Sequence, residues 1–263
     1  MKKVLILLLS LGATFAFAAD RTVNESFEVG DGASFSLESH KGHIQVRTGG
    51  GHTIEVNARI FMGDDFDGKM SDSEITRLID SVDIRFRTNG GGVQVEVNYE
   101  KTHGLFDALM RKNQTMPKVY FEIMLPDDAN LSLETHKSTV DVDAPSGRVA
   151  IESHKGTGEI RGVRNDFEME THKGKFQVEI LEMKDVSVET HKGDVNLTLH
   201  GATDFTVQGE THKGALNVKG YDFRAKREDE DSKGKVLYQK IGSGANRIDL
   251  DTHKGSITLD FVN

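Results

Sequence analysis

The sequence predicts an all-β protein, a parallel β-solenoid in which one short turn motif recurs at the same corner of successive coils. Seven copies of Ser/Thr-His-Lys are present, and six of them continue with Gly. A degenerate eighth copy is Asp231-Ser232-Lys233-Gly234, and with it the motif returns every 18 to 21 residues from His136 onward. Self-similarity at this period is typical of stacked repeat architectures.

Hydrophobic alternation on both sides of the motif supports this fold class. Leu131 and Leu133 precede one copy and Val140 and Val142 follow it, which is the period-2 pattern of a strand with one buried face. One coil cannot bury its apolar face alone, but stacked coils close a continuous core. We therefore expect a single-stranded, right-handed β-helix with 18 to 21 residues per coil. The motif glycines are expected to provide positive φ in a tight turn, and Gly158 is expected to weaken its coil.

The N-terminal part departs from the repeat. It contains a first motif at His40, two Gly-rich hairpin tips, and a helix predicted from Ser71 to Val82 with Ser71 and Glu74 as a capping box. We interpret residues 19–126 as the start of the solenoid and its cap, with insertions at 61–116, and residues 127–263 as the repeat solenoid. An apolar cluster in the insertion, expected to pack on an end coil, comprises Leu105, Phe106, Leu109 and Met110.

The first 18 residues predict a signal peptide. Lys2 and Lys3 precede a short apolar run, and Ala16-Phe17-Ala18 supplies the small residues of a cleavage site. We expect the mature chain to be exported, to the periplasm or to the cell surface or medium, without a transmembrane segment. The chain has no Cys, so its stability must come from the fold. Its net charge of -9 argues against nucleic-acid binding.

The repeat resembles a bacterial family of adhesin-like domains of unknown function. That family carries a Thr-Ser-Ser-Gly-Asp-Ile/Val turn after an alternating strand, and the segment most similar to it here runs from Glu189 through His191 and Gly193 to Val195. The run from Val119 to Pro126 is similar to the family's entry into its stacked half. The resemblance implies a parallel β-solenoid and no particular chemistry. Here His-Lys stands where the family has small hydroxyl residues.

The alternation predicts three outward-facing columns beside the motif. Because Leu133 faces inward, Thr135 should do so too, and Glu134 and His136 should share the outer side. The predicted Glu column comprises Glu134, Glu152, Glu170, Glu189 and Glu210, with Asp251 as a substitute. The candidate binding residues are His40, His136, His154, His172, His191, His212 and His253, with Lys41, Lys137, Lys155, Lys173, Lys192, Lys213 and Lys254.

Four explanations of these columns are open. Duplication of a harmless turn explains Glu and Lys but gives no reason for His. A polyvalent strip would hold an anionic polymer, a glycan or an envelope protein, and this is the function that we favour. Stacked His136, His154, His172, His191 and His212 would alternatively bind zinc, copper or nickel, as a periplasmic metal-binding protein. Protonation of the imidazoles would make the column a pH switch.

Other sites are weaker predictions. Asp65, Asp67 and Glu74 match three positions of a calcium loop, but its first position is Gly63 and no helix leads into it, so an acidic surface loop is expected instead. No nucleophile elbow, zinc-protease or phosphate-loop motif is present. The acidic residues are spread evenly over the coils, so a carbohydrate-active enzyme is the most distant alternative, and we predict a non-enzyme without a cofactor.

Overall fold

The computed structural model describes residues 20–49, 51–63, 70–99, 116–221, 226–227 and 234–262. Several predicted features lie outside these ranges: the expected signal peptide, Asp65, Asp67, the apolar cluster at 105–110 and the first three residues of the degenerate motif. The described elements are, in chain order, β1 (Asp20–Glu28), β2 (Ser34–Thr48), β3 (Thr53–Phe61), α1 (Asp72–Ser81), β4 (Asp83–Asn89), β5 (Gly92–Asn98), β6 (Lys118–Leu125), β7 (Asn130–Asp143), β8 (Val149–Val163), β9 (Phe167–Ile180), β10 (Val186–Thr190), β11 (Asp194–His200), β12 (Phe205–Thr211), β13 (Ala215–Lys219), β14 (Lys226–Arg227), β15 (Lys235–Ile241), β16 (Asn246–Thr252) and β17 (Ser256–Val262).

The fold is all-β and mostly parallel, as the repeat predicts. Strands β2, β7, β8 and β9 each run through a copy of the motif and lie side by side in parallel. We call one copy of the motif together with its flanking strand segments a rung. In the later rungs the motif separates two strands, which are β10 and β11, β12 and β13, and β16 and β17. We call the strands before the motif the first wing and those after it the second wing.

The stacking order departs from the chain order at the C-terminal end. We expected each coil to stack on the preceding one, and from β7 to β10 this is so, because Leu131 faces Val149, Val149 faces Phe167 and Phe167 faces Val186. The rung of β12 and β13, however, does not pair with β10 and β11. The C-terminal rung of β16 and β17 lies between them and pairs in parallel with both.

A reversed strand makes this insertion possible. Strand β15 runs antiparallel to β12, so the chain returns to the start of the rung before it enters β16. Two carboxylates fix the inserted rung. Asp204 accepts hydrogen bonds from the Ser243 hydroxyl (2.7 Å) and the Gly244 amide (2.6 Å), and Asp185 accepts one from the Arg247 amide (3.0 Å). Sequence periodicity does not reveal this order, because it gives spacing along the chain only.

Antiparallel elements cover the other end of the stack, where the sequence predicts a cap. In the first wing β5 lies parallel to β2 and pairs on its other side with antiparallel β4, and in the second wing β6 lies parallel to β2 and is followed by antiparallel β3 and β1. The predicted hairpin tip at 89–92 joins β4 and β5, but the one at 48–51 was wrong, because among the described strands β3 pairs with β1 and β6 and not with β2. The predicted helix is present as α1. Its N-cap residue Ser71 donates from its amide to the Glu74 carboxylate at 2.9 Å, so Glu74 serves the capping box. In the described part of the chain, no helix has the length and apolar character to cross a bilayer.

Both wings contribute to one hydrophobic core. The inward residues of every rung belong to a single buried cluster, from Phe35 and Ile44 at one end to Phe261 at the other. Gly158 is not the weak point that its size suggested. Phe176 of the next rung fills the space, and a Cβ at position 158 would lie 2.8 Å from its ring.

Candidate functional site: three ladders at the repeated corner

Along each strand the side chains point alternately inward and outward, and this alternation is interrupted within the motif. In β7 the side chain of Thr135 is buried, His136 is half-buried and Lys137 is exposed, and Ser138 is buried again. Two consecutive side chains therefore face outward, one from the end of the first wing and one from the start of the second. The predicted orientation of Glu134, Thr135 and His136 is the observed one.

The histidines stack on one another along the whole set of parallel rungs. Successive ring centroids are 4.7, 4.5, 4.7, 4.7, 4.8 and 5.0 Å apart, close to the spacing of neighbouring strands. All seven candidate histidines are brought together in this way. We call this row the imidazole ladder, and its order in space is His40, His136, His154, His172, His191, His253 and His212.

An aromatic ring from the cap continues the imidazole ladder at one end. The Tyr99 ring lies edge-on to His40, with centroids 5.8 Å apart, and its hydroxyl donates to the Pro117 carbonyl at 3.4 Å. Burial raises the pKa of Tyr99. The ladder becomes more open toward the other end, where His191 and His212 are exposed.

Lysines and carboxylates form two further rows in the same rung order. The ammonium ladder consists of Lys41, Lys137, Lys155, Lys173, Lys192, Lys254 and Lys213. The carboxylate ladder consists of Glu38, Glu134, Glu152, Glu170, Glu189, Asp251 and Glu210, which face one another directly in the parallel register. Together we call the three ladders the corner strip. All fourteen candidate binding residues lie in it.

The motif glycine is explained by close stacking and not by positive φ. Of the motif glycines only Gly42 has a positive φ, of 149°. At Gly255 an added Cβ would lie 1.8 Å from the carbonyl oxygen of Gly193 on the next rung. The expectation of positive φ at Gly174, Gly193, Gly214 and Gly255 was therefore wrong, because the constraint at this corner is the approach of neighbouring backbones.

The Ser or Thr that recurs in every Ser/Thr-His-Lys copy of the motif has a structural position. These side chains point inward beneath the imidazole ladder and are buried. The Thr190 hydroxyl accepts a hydrogen bond from the Gly193 amide at 2.8 Å, and Thr135 bonds to Ser153 on the next rung at 3.3 Å. Ser/Thr and Gly thus occupy the inner side of the corner, whereas His, Lys and Glu project from it.

Burial and neighbouring cationic groups lower the pKa values of several histidines in the imidazole ladder. The pKa of His136 is lowered by burial, then by His40 and His154, and then by Lys137 and Lys155. The pKa values of His40, His172 and His253 are lowered in the same way, by burial first and by adjacent His or Lys groups next. Within the ladder, the His154 and His172 ring nitrogens approach to 3.5 Å.

Burial and neighbouring negative charges raise the pKa values of two residues in the carboxylate ladder. Burial and the neighbours Glu38 and Glu152 raise the pKa of Glu134, and burial with Glu170 and Asp251 raises that of Glu189. Among the described residues no ladder carboxylate forms an ion pair. The row ends at the cap, where Glu96 faces Glu38 and is paired with Arg87 at 3.2 Å.

Several arginines elsewhere on the outer surface are paired with carboxylates. Arg47 pairs with Asp141 at 2.8 Å and with Asp143 at 3.2 Å, and Arg161 binds the same two carboxylates from the other side. Arg148 pairs with Glu168, and Arg164 with Glu182 at 3.0 Å. These four arginines are each paired with carboxylates, whereas the corner strip stacks like groups on like.

The described residues contain no group of three or more His, Asp or Glu side chains placed to hold one metal ion. The imidazole ladder spreads its donors along a line, and Glu74 is used by the helix cap. The calcium-loop positions Asp65 and Asp67 lie outside the described residues.

Two members of this site, Glu38 and Tyr99, were not identified from the sequence, and the position of a third, His253, was not expected. Glu38 was not included in the predicted Glu column, although it precedes His40 by the same two residues as Glu134 precedes His136. His253 was not expected between His191 and His212. Tyr99 carries no sequence signal, because its place beside His40 depends on how the cap folds back.

Fold and site together define a class of protein: an all-β repeat protein whose parallel rungs present three residue ladders along one corner. A family comparison covers the repeat half of the chain. The chain belongs to the Toastrack DUF4097 family, whose model matches residues 127–260. No curated protein matches the chain.

Solved structures that resemble the chain include the following three. A proposed cell adhesion protein from Clostridium sporogenes is 13% identical, with a TM-score of 0.46, over 92% of this chain and 100% of that one. A proposed adhesin from Bacteroides fragilis is 13% identical, with a TM-score of 0.31, over 92% and 97% of the two chains. A proposed adhesin from Parabacteroides distasonis is 9% identical, with a TM-score of 0.29, over 92% and 97%.

Proposed function

We propose that the protein is an exported, non-enzymatic scaffold of the cell envelope, built as a right-handed coil, whose corner strip binds an anionic or sugar polymer. The observation that carries this proposal is the stacking of like on like. Seven lysines and seven histidines stand in register along one edge, like beside like, whereas Arg47 and Arg164 on the outer faces are paired with carboxylates.

Such stacking has a cost for the fold. Two like charges about 4.8 Å apart repel by roughly 1 kcal/mol in water and by more near a protein surface. Like charges directly opposite each other on neighbouring strands are destabilising. A repeat whose only task is to fold would be more stable if each charge were paired with an opposite one, as Asp141 is with Arg47 and Arg161. An anionic ligand would offset the repulsion within the ammonium ladder.

The regular spacing suits a polymer. A linear ligand that lies along the stack would meet one lysine and one imidazole per rung, so that many weak contacts add up. Lysine ammoniums attract anionic groups, and the imidazole nitrogens donate or accept hydrogen bonds to hydroxyls. A catalytic centre would instead require carboxylates that converge on one bond. Here they are distributed one per rung.

The transition-metal alternative requires at least a third ligand around one ion. Because the described residues provide no such group, we favour the polymer. A zinc titration of the mature protein separates the two: heat of binding that disappears when the ladder histidines are changed to Ser would support the metal site.

The test of the proposed function is a binding measurement with matched variants. Polyphosphate and hyaluronan are the charged probes, and dextran is the neutral one. The variant K137Q/K155Q/K173Q/K192Q removes four ladder lysines, and K184Q/K219Q/K235Q/K240Q removes four lysines elsewhere with the same change in net charge. We expect the first variant to lose at least tenfold in affinity for a charged probe and the second to keep it. Equal affinities of both variants, or no binding of any probe by the parent protein, would contradict the proposal.

A further inference from the structure

The lateral order of the three ladders is the same on every parallel rung. In β7 the carboxylate of Glu134 comes first, the imidazole of His136 follows two residues later, and the ammonium of Lys137 comes next across the corner. Neighbouring rungs repeat this order in exact register for Glu and Lys. The strip therefore has a negative edge and a positive edge, separated by a row of imidazoles.

This order is complementary to itself under one particular symmetry. Consider two copies that face each other through their corner strips and are related by a two-fold axis parallel to the stack. This rotation reverses the lateral order of the three ladders, but both stacks still run in the same direction. The carboxylate ladder of one copy then lies over the ammonium ladder of the other, and imidazoles face imidazoles. A two-fold interface requires this kind of self-complementary patch. A two-fold axis across the ladders would place like charges together.

The spacing along the strip matches automatically in such a pair. Both partners have the same rung repeat, with ring centroids 4.5 to 5.0 Å apart, so one salt bridge forms per ladder per rung without any adjustment. The carboxylates available for it are the ones that form no ion pair within the described chain.

We propose that the corner strip is a self-association surface, on which a second copy of this chain docks about a two-fold axis parallel to the stack, with carboxylate ladder against ammonium ladder. Each rung then faces the same rung of its partner, so His154 faces His154. The strip is narrow, and standard stable interfaces bury about 800 Å² per partner, so the association belongs to the weak and salt-sensitive kind. This inference goes beyond polymer binding and does not depend on it.

Charge exchange tests the proposed pairing. The variant E134K/E152K/E170K makes both edges of three rungs positive, and K137E/K155E/K173E makes both negative. We expect sedimentation velocity at low salt to show that the parent self-associates, that each variant alone is a monomer, and that the equimolar mixture of the two associates again. A mixture that stays monomeric while the parent associates would overturn the proposed arrangement.

Disulfide trapping detects the association even if it is weak and the charge variants are poorly folded. The chain has no cysteine, so a single H154C substitution introduces the only thiol. With diamide as the oxidant, we expect H154C to form a covalent dimer rapidly, and less so in high salt. Q177C, on the outer face of the second wing, is the control and should stay monomeric. Equal cross-linking of both variants, or none in H154C, would overturn the proposal.

Self-association and polymer binding can be contradicted independently of each other. A parent protein that binds polyphosphate but is monomeric and does not cross-link through H154C would remove self-association and leave the proposed function intact. Cross-linking through H154C without binding of any polymer would do the reverse.

Discussion

At the scale of single residues, each position of the motif has a different physical task. The buried Ser/Thr hydroxyl and the motif glycine build a corner at which backbones of adjacent rungs approach closely, as at Gly255. Glu, His and Lys do not contribute to that corner and face outward. Their repetition therefore requires another reason, and ligand binding supplies one.

A half-buried glycine outside the motif offers a test of the packing. At Gly158 an added methyl would lie 2.8 Å from the Phe176 ring and 2.8 Å from the Val140 carbonyl. We expect G158A to lower the free energy of unfolding by about 1–3 kcal/mol, the usual cost of overpacking. The change should be coupled to the ring, so the double variant G158A/F176L should lose less than the two single variants together. Urea unfolding measures all three, and strict additivity would refute this contact.

The imidazole ladder makes stability depend on pH. The pKa values of His40, His136, His172 and His253 are lowered by folding from 6.5, so the unfolded chain binds more protons just below that pH. Stability should then be fully present above about pH 6.5 and be lost as pH falls through that value toward the folded pKa. The raised pKa of Glu134 acts in the opposite direction, but nearer to pH 4.5.

Urea midpoints at about pH 7.5 and 5.5 measure this dependence, because the window contains histidine titration and little carboxylate titration. The parent protein should be less stable at the lower pH. A variant with those four histidines changed to Gln should lose much of the difference. An unchanged difference in the variant would show that the ladder is not its source.

At the scale of elements, strand type, alternation and the position of the motif could be predicted from the sequence because they depend on local periodicity. The helix could be predicted because Ser71 and Glu74 form a local cap. The position of β16 and β17 could not be predicted. Their pairing with β10 to β13 is set by the antiparallel return through β15, a contact between segments that the repeat does not distinguish.

The inserted rung should transmit a local defect to both of its neighbours. Leu250 is buried in β16, and L250A is expected to cost about 2–5 kcal/mol, as for other large-to-small core changes. Hydrogen exchange should then increase in both β10 and β12, which flank β16. V207A in β12 is the control and should increase exchange in β12 and β15 but not in β10. Protection of β10 that is unaffected by L250A would contradict the inserted order.

At the scale of the whole molecule, the fold separates two tasks. The inward faces of both wings form one core that stabilises the stack, and the outward corner carries a strip whose like-charged rows the fold does not need. The strip could be predicted from the sequence in composition, because Glu, His and Lys recur with the motif. Its true order and its Tyr99 end depend on the topology of the insertion and the cap.

The most direct test of polymer binding at the corner strip is a titration of the mature protein with polyphosphate, followed by NMR of its histidine ring resonances. The described histidines outside the ladder, His43, His52 and His200, are internal controls in the same sample. We expect the seven ladder resonances to shift together in a saturable and salt-sensitive way while the controls stay in place. Ladder resonances that do not move, or that move no more than the controls, would contradict the proposed function.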